Sequence, residues 1–478
     1  MEDNNKLVLE LKINDNDFDF LSTIEKAQDE ANKELSEINK QITDNEEMIK
    51  KLTPDCDMVD YILATCSGAI CGIIDIFLVS KPNQSQFQNL TDKWFEDRTK
   101  DFARINGWNN DTDSLESAIR YLEKKFKVPY DQNGMGESGK VFLGLTPDNH
   151  HFMSLGHNPS ILGLFFSILN QFNNTSSFVS NGELIIHSSN NSFELQGNDI
   201  PSKIFCGFIN WFGHIISDIS GSSSSTGRGM GIPSPLWSWS NDVIAIKRSL
   251  RIPVSDFDKS INELAVEIYK KGYDTRFQVA QMIPVFINEL IVRFLYSTRR
   301  LIQYFMNNSI SDFTFSKLWE KCEPFSNSTV KRMLTVAHGT FCLVDISDAV
   351  AQGFIHGAGT FNVKEVVIRL NLPSLGRFSI SLYGELDRTI KKTSNANEIK
   401  YLKMREIIVN DYIDGLNELS EIYNDNTLSN FVKDFESSDL YIKAFNKSVM
   451  LAEKRNVDSD KILRNKASID NYFNGDES

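Results

Sequence analysis

The chain has 478 residues, 41% hydrophobic and 24% charged, which are the values of a globular protein long enough for one large domain or two to three ordinary ones. Sixty-four Asp and Glu outweigh 50 Lys and Arg, and the formal net charge of −14 argues against a general nucleic-acid binder and against electrostatic adsorption to anionic lipid. The six cysteines, at 56, 66, 71, 206, 322 and 342, form no CxxC pair and read as reduced structural residues, in keeping with a cytosolic compartment.

Residues 7–13, LVLELKI, alternate as a short strand does. The opening stretch has no basic region followed by an apolar one. No secretion is therefore expected, and the location is read as cytoplasmic or cytoplasmic-membrane-associated. From Leu21 the pattern turns to heptads: Leu21, Gln28, Leu35, Ile42 and Ile49 form one series, and Ile24, Ala31, Ile38, Asn45 and Leu52 the other. Such a seam, with Gln28 and Asn45 as polar register markers, predicts a helical arm ending at Pro54. It fits equally a hairpin within the chain and a homodimer through Leu21–Leu52.

Five segments of about a dozen uncharged residues follow: Tyr61–Ile74, Ile161–Phe172, Ile204–Ser217, Phe277–Asn288 and Met333–Val344. Runs of that size mark buried core helices more often than bilayer spans, which need roughly 20 residues. Tyr61–Ser80 reaches that length if Asp75 faces the protein interior. Within SGAICGIID (67–75), Gly68 and Gly72 permit close helix approach, and Asp75 shares their face.

GMGESGK (134–140) matches the start of a phosphate-binding loop, but Val141 replaces the hydroxyl residue that would hold magnesium and Pro147 interrupts any following helix. No nucleotide site is expected there. The sequence ELIIHSS, then Asn190–Asn191, then SFEL predicts a β-hairpin, with His187 solvated on it. GSSSSTGRGMG (221–231) reads as a mobile or ligand-ordered loop. Further on, Glu289 and Arg293 form an i,i+4 pair. His338, Asp345 and Asp348 share a helical face. VVIRLNLPSLGRFSISL reads as strand-like or as a broken helix, and the charged tail from about Glu398 as helical. No repeat of 20–50 residues appears.

The candidate chemistry rests on histidines. His214 and Asp218 stand four apart on one helical face and can share a cation, and His150, His151 and His157 precede a helix that starts after Pro159. Imidazoles joined by a carboxylate suit a divalent metal, zinc foremost, with Mn or Fe as alternatives. No nucleophile elbow or Cys–His pairing supports covalent catalysis. The bland reading is that each His/Asp pair is an internal hydrogen bond in a core.

The order SGAICGIID, HHFMSLGHNPS, then GHIISD followed by GIPSPLW resembles a family of bacterial membrane-bound metal-dependent hydrolases over residues 60–240. The resemblance implies a metal held by His151, His157, His214 and Asp218, with Asp75 as ligand or catalytic base. Phe152, Gly156 and Gly213 stand where that family carries Arg, Thr and Ser. As a whole the chain also resembles proteins of gut-type Gram-positive bacteria, a likeness that implies no activity.

The expected architecture is mainly α: an arm over 1–54, a central apolar helical bundle over 55–380 with a hairpin insert near 178–200, and a charged helical tail over 381–478. The expected function is hydrolysis of an ester or phosphoester, lipid-linked in one version, with His338 and Asp345 as secondary site candidates. The competing class is a non-enzymatic, membrane-associated or oligomeric helical protein whose His/Asp pairs are structural.

Overall fold

The computed structural model describes residues 20–109, 113–126, 149–173, 175–188, 197–221, 231–307, 314–357, 360–424, 440–464 and 468. The 7–13 strand, the 134–140 motif, the Asn190–Asn191 turn and most of the 221–231 loop lie outside them. In chain order the longer elements are α1 (Phe20–Leu52), α2 (Met58–Ile74, continued by a π-helical turn to Val79), α3 (Gln86–Ile105), α4 (Leu115–Lys125), α5 (Ile161–Asn173), β1 (Thr175–Ser180), β2 (Glu183–Ser188) and α6 (Ile200–Asp218). There follow α7 (Pro235–Ser249), α8 (Asp256–Lys270), α9 (Thr275–Asn307), α10 (Phe315–Cys322), α11 (Ser328–Ile355), α12 (Val363–Arg369), α13 (Leu372–Asn424) and α14 (Leu440–Lys454). The protein is mainly α-helical with one small antiparallel hairpin.

Two compact units emerge: Met1–Thr53 with Thr389–Ser478, and Pro54–Arg388. In the first, the heptad face of α1 is covered by the chain itself. Ala31, Ile38 and Ile42 pack with Ile399, Leu402 and Val409 of α13. Gln28 Nε2 donates to Asn417 Oδ1 at 2.8 Å, and Arg405 pairs with Glu34 at 2.6 Å. Numbers fall along α13 as they rise along α1, so the two helices run antiparallel. Gln28, a polar interruption in the seam, is thereby matched by an amide partner, as a register marker requires.

The second unit carries the bundle. Asp57 and Asp60 cap α2 reciprocally and are held by Arg299 and Arg300 of α9. Gly68 and Gly72 let α2 cross α11 at backbone distance. A Cβ on Gly68 would lie 2.1 Å from the Ala337 carbonyl oxygen, and one on Gly72 would lie 2.7 Å from Val344 Cβ.

Polarity in this bundle is inverted. The helices α2, α9, α11 and α6 bury Asp60 and Ser67, Gln281 and Asn288, His338 and Asp345, and Asn210 and Asp218. Their exposed positions carry Ile62, Ile70 and Phe77 on α2, Phe286, Leu290 and Phe294 on α9, Leu343 and Phe354 on α11, and Phe205 and Phe208 on α6. A water-soluble amphipathic helix has the opposite arrangement. Met58–Val79, Thr275–Asn307 and Ser328–Ile355, at 22, 33 and 28 residues, are long and apolar enough to cross a membrane.

The hairpin is real but begins earlier than its sequence signal suggested. ELIIHS is the second strand, paired back to Thr175–Ser180 through Asn181–Gly182. Both turn residues have positive φ, 48° and 78°, the combination an Asn-Gly type I′ turn supplies. His187 is exposed on β2, as expected.

The stretch read as strand-like or broken helix resolves to the latter. It is α12, a break at Leu370–Asn371, and then α13 with Pro373 in the first turn, where a missing N–H costs nothing. Asn371 Oδ1 caps α13 by accepting from Ser374 N at 2.9 Å.

Candidate metal centre

Three pieces of chain build the centre. A single helical turn (His150–Met153) and a 3₁₀ turn (Leu155–His157) carry His151 and His157, and the last turn of α6 carries His214 and Asp218. The histidine turns are tied down on several sides. Asn241 Nδ2 donates to the Phe152 carbonyl at 2.5 Å, Asn158 Nδ2 donates to Asp242 Oδ1 at 3.1 Å, and Ser154 bridges to Phe178 of β1. Gly163 admits the Asn158 carbonyl against α5, since a Cβ there would lie 2.1 Å from it. At the end of α6, the buried Arg276 donates to the Ser220 carbonyl at 3.1 Å and pairs with Asp92 at 3.2 Å and Asp274 at 3.4 Å.

The donors converge. His157 Nε2 and His214 Nε2 are 2.9 Å apart, and Asp218 Oδ2 lies 3.2 Å from His214 Nε2, 3.6 Å from His157 Nε2 and 3.8 Å from His151 Nδ1. The rings of His151 and His157 stack at 4.5 Å, and His150 meets His151 edge-on at 4.3 Å. All five side chains are buried.

The outward nitrogens are oriented from behind. His214 Nδ1–H donates to the Phe126 carbonyl at 3.2 Å, and His157 Nδ1 lies 3.0 Å from the Ser154 hydroxyl. This is the arrangement by which ligating histidines are aimed, with the second nitrogen anchored to a carbonyl or hydroxyl. The Gly231 carbonyl accepts from both His151 Nδ1–H, at 3.2 Å, and the Tyr269 hydroxyl, at 2.8 Å. Gly213 makes the His214 anchor possible, because a Cβ there would lie 2.2 Å from the Phe126 ring. Phe152 belongs to the core beside Tyr269.

Burial and neighbouring charge oppose one another here. Burial lowers the pKa of His157 well below the usual imidazole range, and its histidine neighbours push the same way. His151 is also lowered, by burial first, against the pull of Asp218. For His214 burial works downward, but the neighbouring charge of Asp218 overrides it and the net shift is upward. Burial would raise Asp218, yet His214 and His151 hold it below the ordinary carboxylate value. These shifts favour a protonated His214 beside an ionised Asp218.

The residues fit a cation. Tetrahedral ligands at ~2.0–2.1 Å from zinc sit ~3.3–3.4 Å from one another. The triangle of His157, His214 and Asp218 has sides of 2.9, 3.2 and 3.6 Å. Asp218 Oδ2 is buried and accepts no hydrogen bond among the described residues, and such an orphaned carboxylate oxygen asks for a positive partner. His151, His157 and Asp218 offer ligand atoms within 4.8 Å of one another, and His214 adds a fourth donor beside them.

The remaining candidates lie elsewhere. Asp75 Oδ1 accepts from Asn371 Nδ2 at 2.6 Å, and Asp345 Oδ2 accepts from Asn371 N at 2.9 Å, so these two carboxyls share a separate network between α2, α11 and the start of α13. Gln281 and Tyr273 extend it, the Tyr273 hydroxyl donating to Gln281 Oε1 at 2.5 Å. His338 faces Asn288 and Glu289, at 3.4 and 3.7 Å. His356 is exposed on its own helix end. Arg276, Ser154 and the Phe126 carbonyl were not legible as parts of the centre, since a hydroxyl or a carbonyl carries no spacing signal.

No family model matches the chain, and no curated protein or solved structure matches it either.

Proposed function

We propose that the chain is a membrane-associated, metal-dependent hydrolase of an ester or phosphoester, with His157, His214 and Asp218 as the close ligands and His151 beside them. The observation that carries this reading is the convergence of two anchored imidazole nitrogens on a buried carboxylate oxygen that has no hydrogen-bond partner among the described residues. A divalent cation held there would supply Lewis-acid polarisation of an ester or phosphoester oxygen and activation of water.

The chain's own groups divide the work. Asp218 would supply one negative charge toward a divalent cation held there. The Phe126 carbonyl and Ser154 hydroxyl keep two imidazoles aimed. His151, its Nδ1–H held by the Gly231 carbonyl, stands beside the three close donors and would serve as a further ligand or as a base. Neutral and stacked on His157, His151 is placed to take a proton from the attacking group. The inverted polarity of α2, α9 and α11 supports a bilayer setting, in which apolar surfaces face lipid and polar ones face inward.

The test is metal content of the purified full-length protein against His214→Ala and His157→Ala, together with hydrolysis of bis-p-nitrophenyl phosphate and p-nitrophenyl butyrate. The wild type is expected to carry a near-stoichiometric transition metal and both variants to lose it. Less than about a tenth of an equivalent in the wild type overturns the proposal. Full metal with no turnover of either probe removes the hydrolase and leaves a structural centre. Carbonate extraction checks the setting: complete release into the supernatant excludes integral insertion.

A further inference from the structure

A second site lies away from the histidines and rests on different residues. A cavity of about 200 Å³ is lined by Arg293 of α9, Phe325, Lys331 and Leu334 at the start of α11, and Arg377, Ile380 and Arg388 of α13, among others. At roughly 30 Å³ per water molecule it has the volume of six or seven waters, enough for a small anion and too little for a large organic ligand.

Its charge is lopsided in a chain that is acidic overall. Glu289 pairs with Arg293 and Arg377, and Glu385 pairs with Arg332 and Arg388. Lys331 is exposed and has no carboxylate partner among the described residues. Five basic side chains thus meet two carboxylates, an excess of three positive charges. Arg388 Nε is buried and has no hydrogen-bond partner among the described residues. Arg388 lines the cavity, so an anion there would lie beside its guanidinium charge.

The surroundings narrow the class. Arg293 lies 5.4 Å from the centre of the Phe325 ring, and Ile380 on the cavity wall is 66% exposed. Leu290 and Phe294, flanking Arg293 on α9, are exposed as well. A cationic recess bordered by outward apolar side chains, at the start of α11 where Lys331 and Arg332 stand, matches a tetrahedral oxyanion attached to an apolar body. Basic pockets of this kind between membrane helices receive lipid headgroups.

We propose that this cavity binds a phosphate group, presented either by an anionic phospholipid headgroup or by a soluble phosphate, through Lys331, Arg377, Arg293 and Arg388. The site does not depend on the metal centre.

The experiment uses full-length protein in dodecyl maltoside micelles, with two probes measured by calorimetric titration. Sodium phosphate is titrated against chloride at constant ionic strength. Dioleoylphosphatidylglycerol in mixed micelles is titrated against dioleoylphosphatidylcholine at the same mole fraction. At least one probe is expected to bind, and Lys331→Glu is expected to weaken it about tenfold or more, with Arg388→Gln acting in the same direction. Binding of phosphatidylglycerol without phosphate assigns a lipid source, and binding of phosphate alone assigns a soluble one. Failure of both probes, or binding indifferent to both substitutions, overturns the proposal. Lys331 is exposed, so its substitution leaves the fold intact, and an unchanged metal content of that variant serves as the control.

Discussion

His157 and His214 meet through their Nε2 atoms at 2.9 Å while each ring is anchored through Nδ1. The Phe126 carbonyl can only accept, which places a proton on His214 Nδ1. The Ser154 hydroxyl can donate or accept, so His157 is free to adopt either tautomer. Two lone pairs cannot face each other at that distance without something positive between them. In the metal-free cluster that positive group is the proton on His214. A cation that replaces this proton leaves His157 Nδ1–H donating to the Ser154 hydroxyl, the direction it already has when His157 Nε2 accepts from His214.

Ser154→Ala removes this adjustable anchor while leaving every ligand in place. The expected result is a loss of metal affinity of about 10- to 100-fold, measured by competition with a chromophoric zinc chelator. Ser154→Thr should recover most of it. Equal affinity in wild type and Ser154→Ala would show that the hydroxyl does not orient His157.

Gly213→Ala tests the other anchor. Its Cβ would lie 2.2 Å from the Phe126 ring, so the ring and the carbonyl behind it must move. Overpacking of this kind costs about 1–3 kcal/mol, and metal affinity should fall with stability. Thermal unfolding with and without added zinc separates the two effects.

The α2–α11 crossing is equally intolerant. Gly68→Ala would place a methyl 2.1 Å from the Ala337 carbonyl oxygen and should lower the unfolding midpoint by an amount equivalent to about 1–3 kcal/mol. Gly415→Ala, on α13 with open space around it, should be neutral or slightly stabilising in the same assay.

Asp258 gives a pH signature outside the histidine cluster. The Lys247 ammonium, 2.5 Å away, is the largest influence on this carboxyl, followed by the Ser255 hydroxyl, and together they lower its pKa from 3.8 to about 2. A depressed carboxylate stabilises the fold above its unfolded value and loses that contribution as pH falls through the folded one. The midpoint of Asp258→Asn should therefore lie below wild type at about pH 6, with the gap closing between pH 3.8 and about 2. A gap that persists unchanged to the acid limit would rule out the Lys247 pairing as its source.

In the arm, Ile38→Ala should cost about 2–5 kcal/mol, because Ile38 is only 2% exposed against α13 residues of the same chain. Light scattering on the intact protein then distinguishes a seam satisfied internally, which gives a monomeric mass, from one that also recruits a second copy.

Much of the architecture was legible because it depends on period. The α1 heptads, the Gly68–Gly72 face, the Glu289–Arg293 pair and the His214–Asp218 spacing all survive in the structure, since each is set within one helix. What escaped depends on approach between segments. Asp75 was grouped with the histidines through a family likeness, yet Asn371, 296 residues away, holds it beside Asp345. Asn371 is a helix cap by local pattern, and nothing in that pattern announces that its amide nitrogen also reaches the Gln281 carbonyl at 2.9 Å. The Asn181–Gly182 dipeptide is itself a hairpin signal, stronger than Asn190–Asn191 downstream. The serines of β1 hid the first strand, whose buried positions are Ser176, Ser177 and Ser180 as well as Phe178 and Val179.

The inverted polarity of the bundle has a consequence for how this chain tolerates change. Ordinarily the outside of a protein is permissive and the inside is not. In the proposed bilayer setting, a charge at Phe286, Leu290 or Ile70 would face lipid. Leucine in place of Asn288 leaves the Ser67 hydroxyl without its acceptor at 2.7 Å but adds no foreign polarity. Variation in this lineage should therefore be narrow at large outward side chains and concentrated in paired exchanges among inward polar ones.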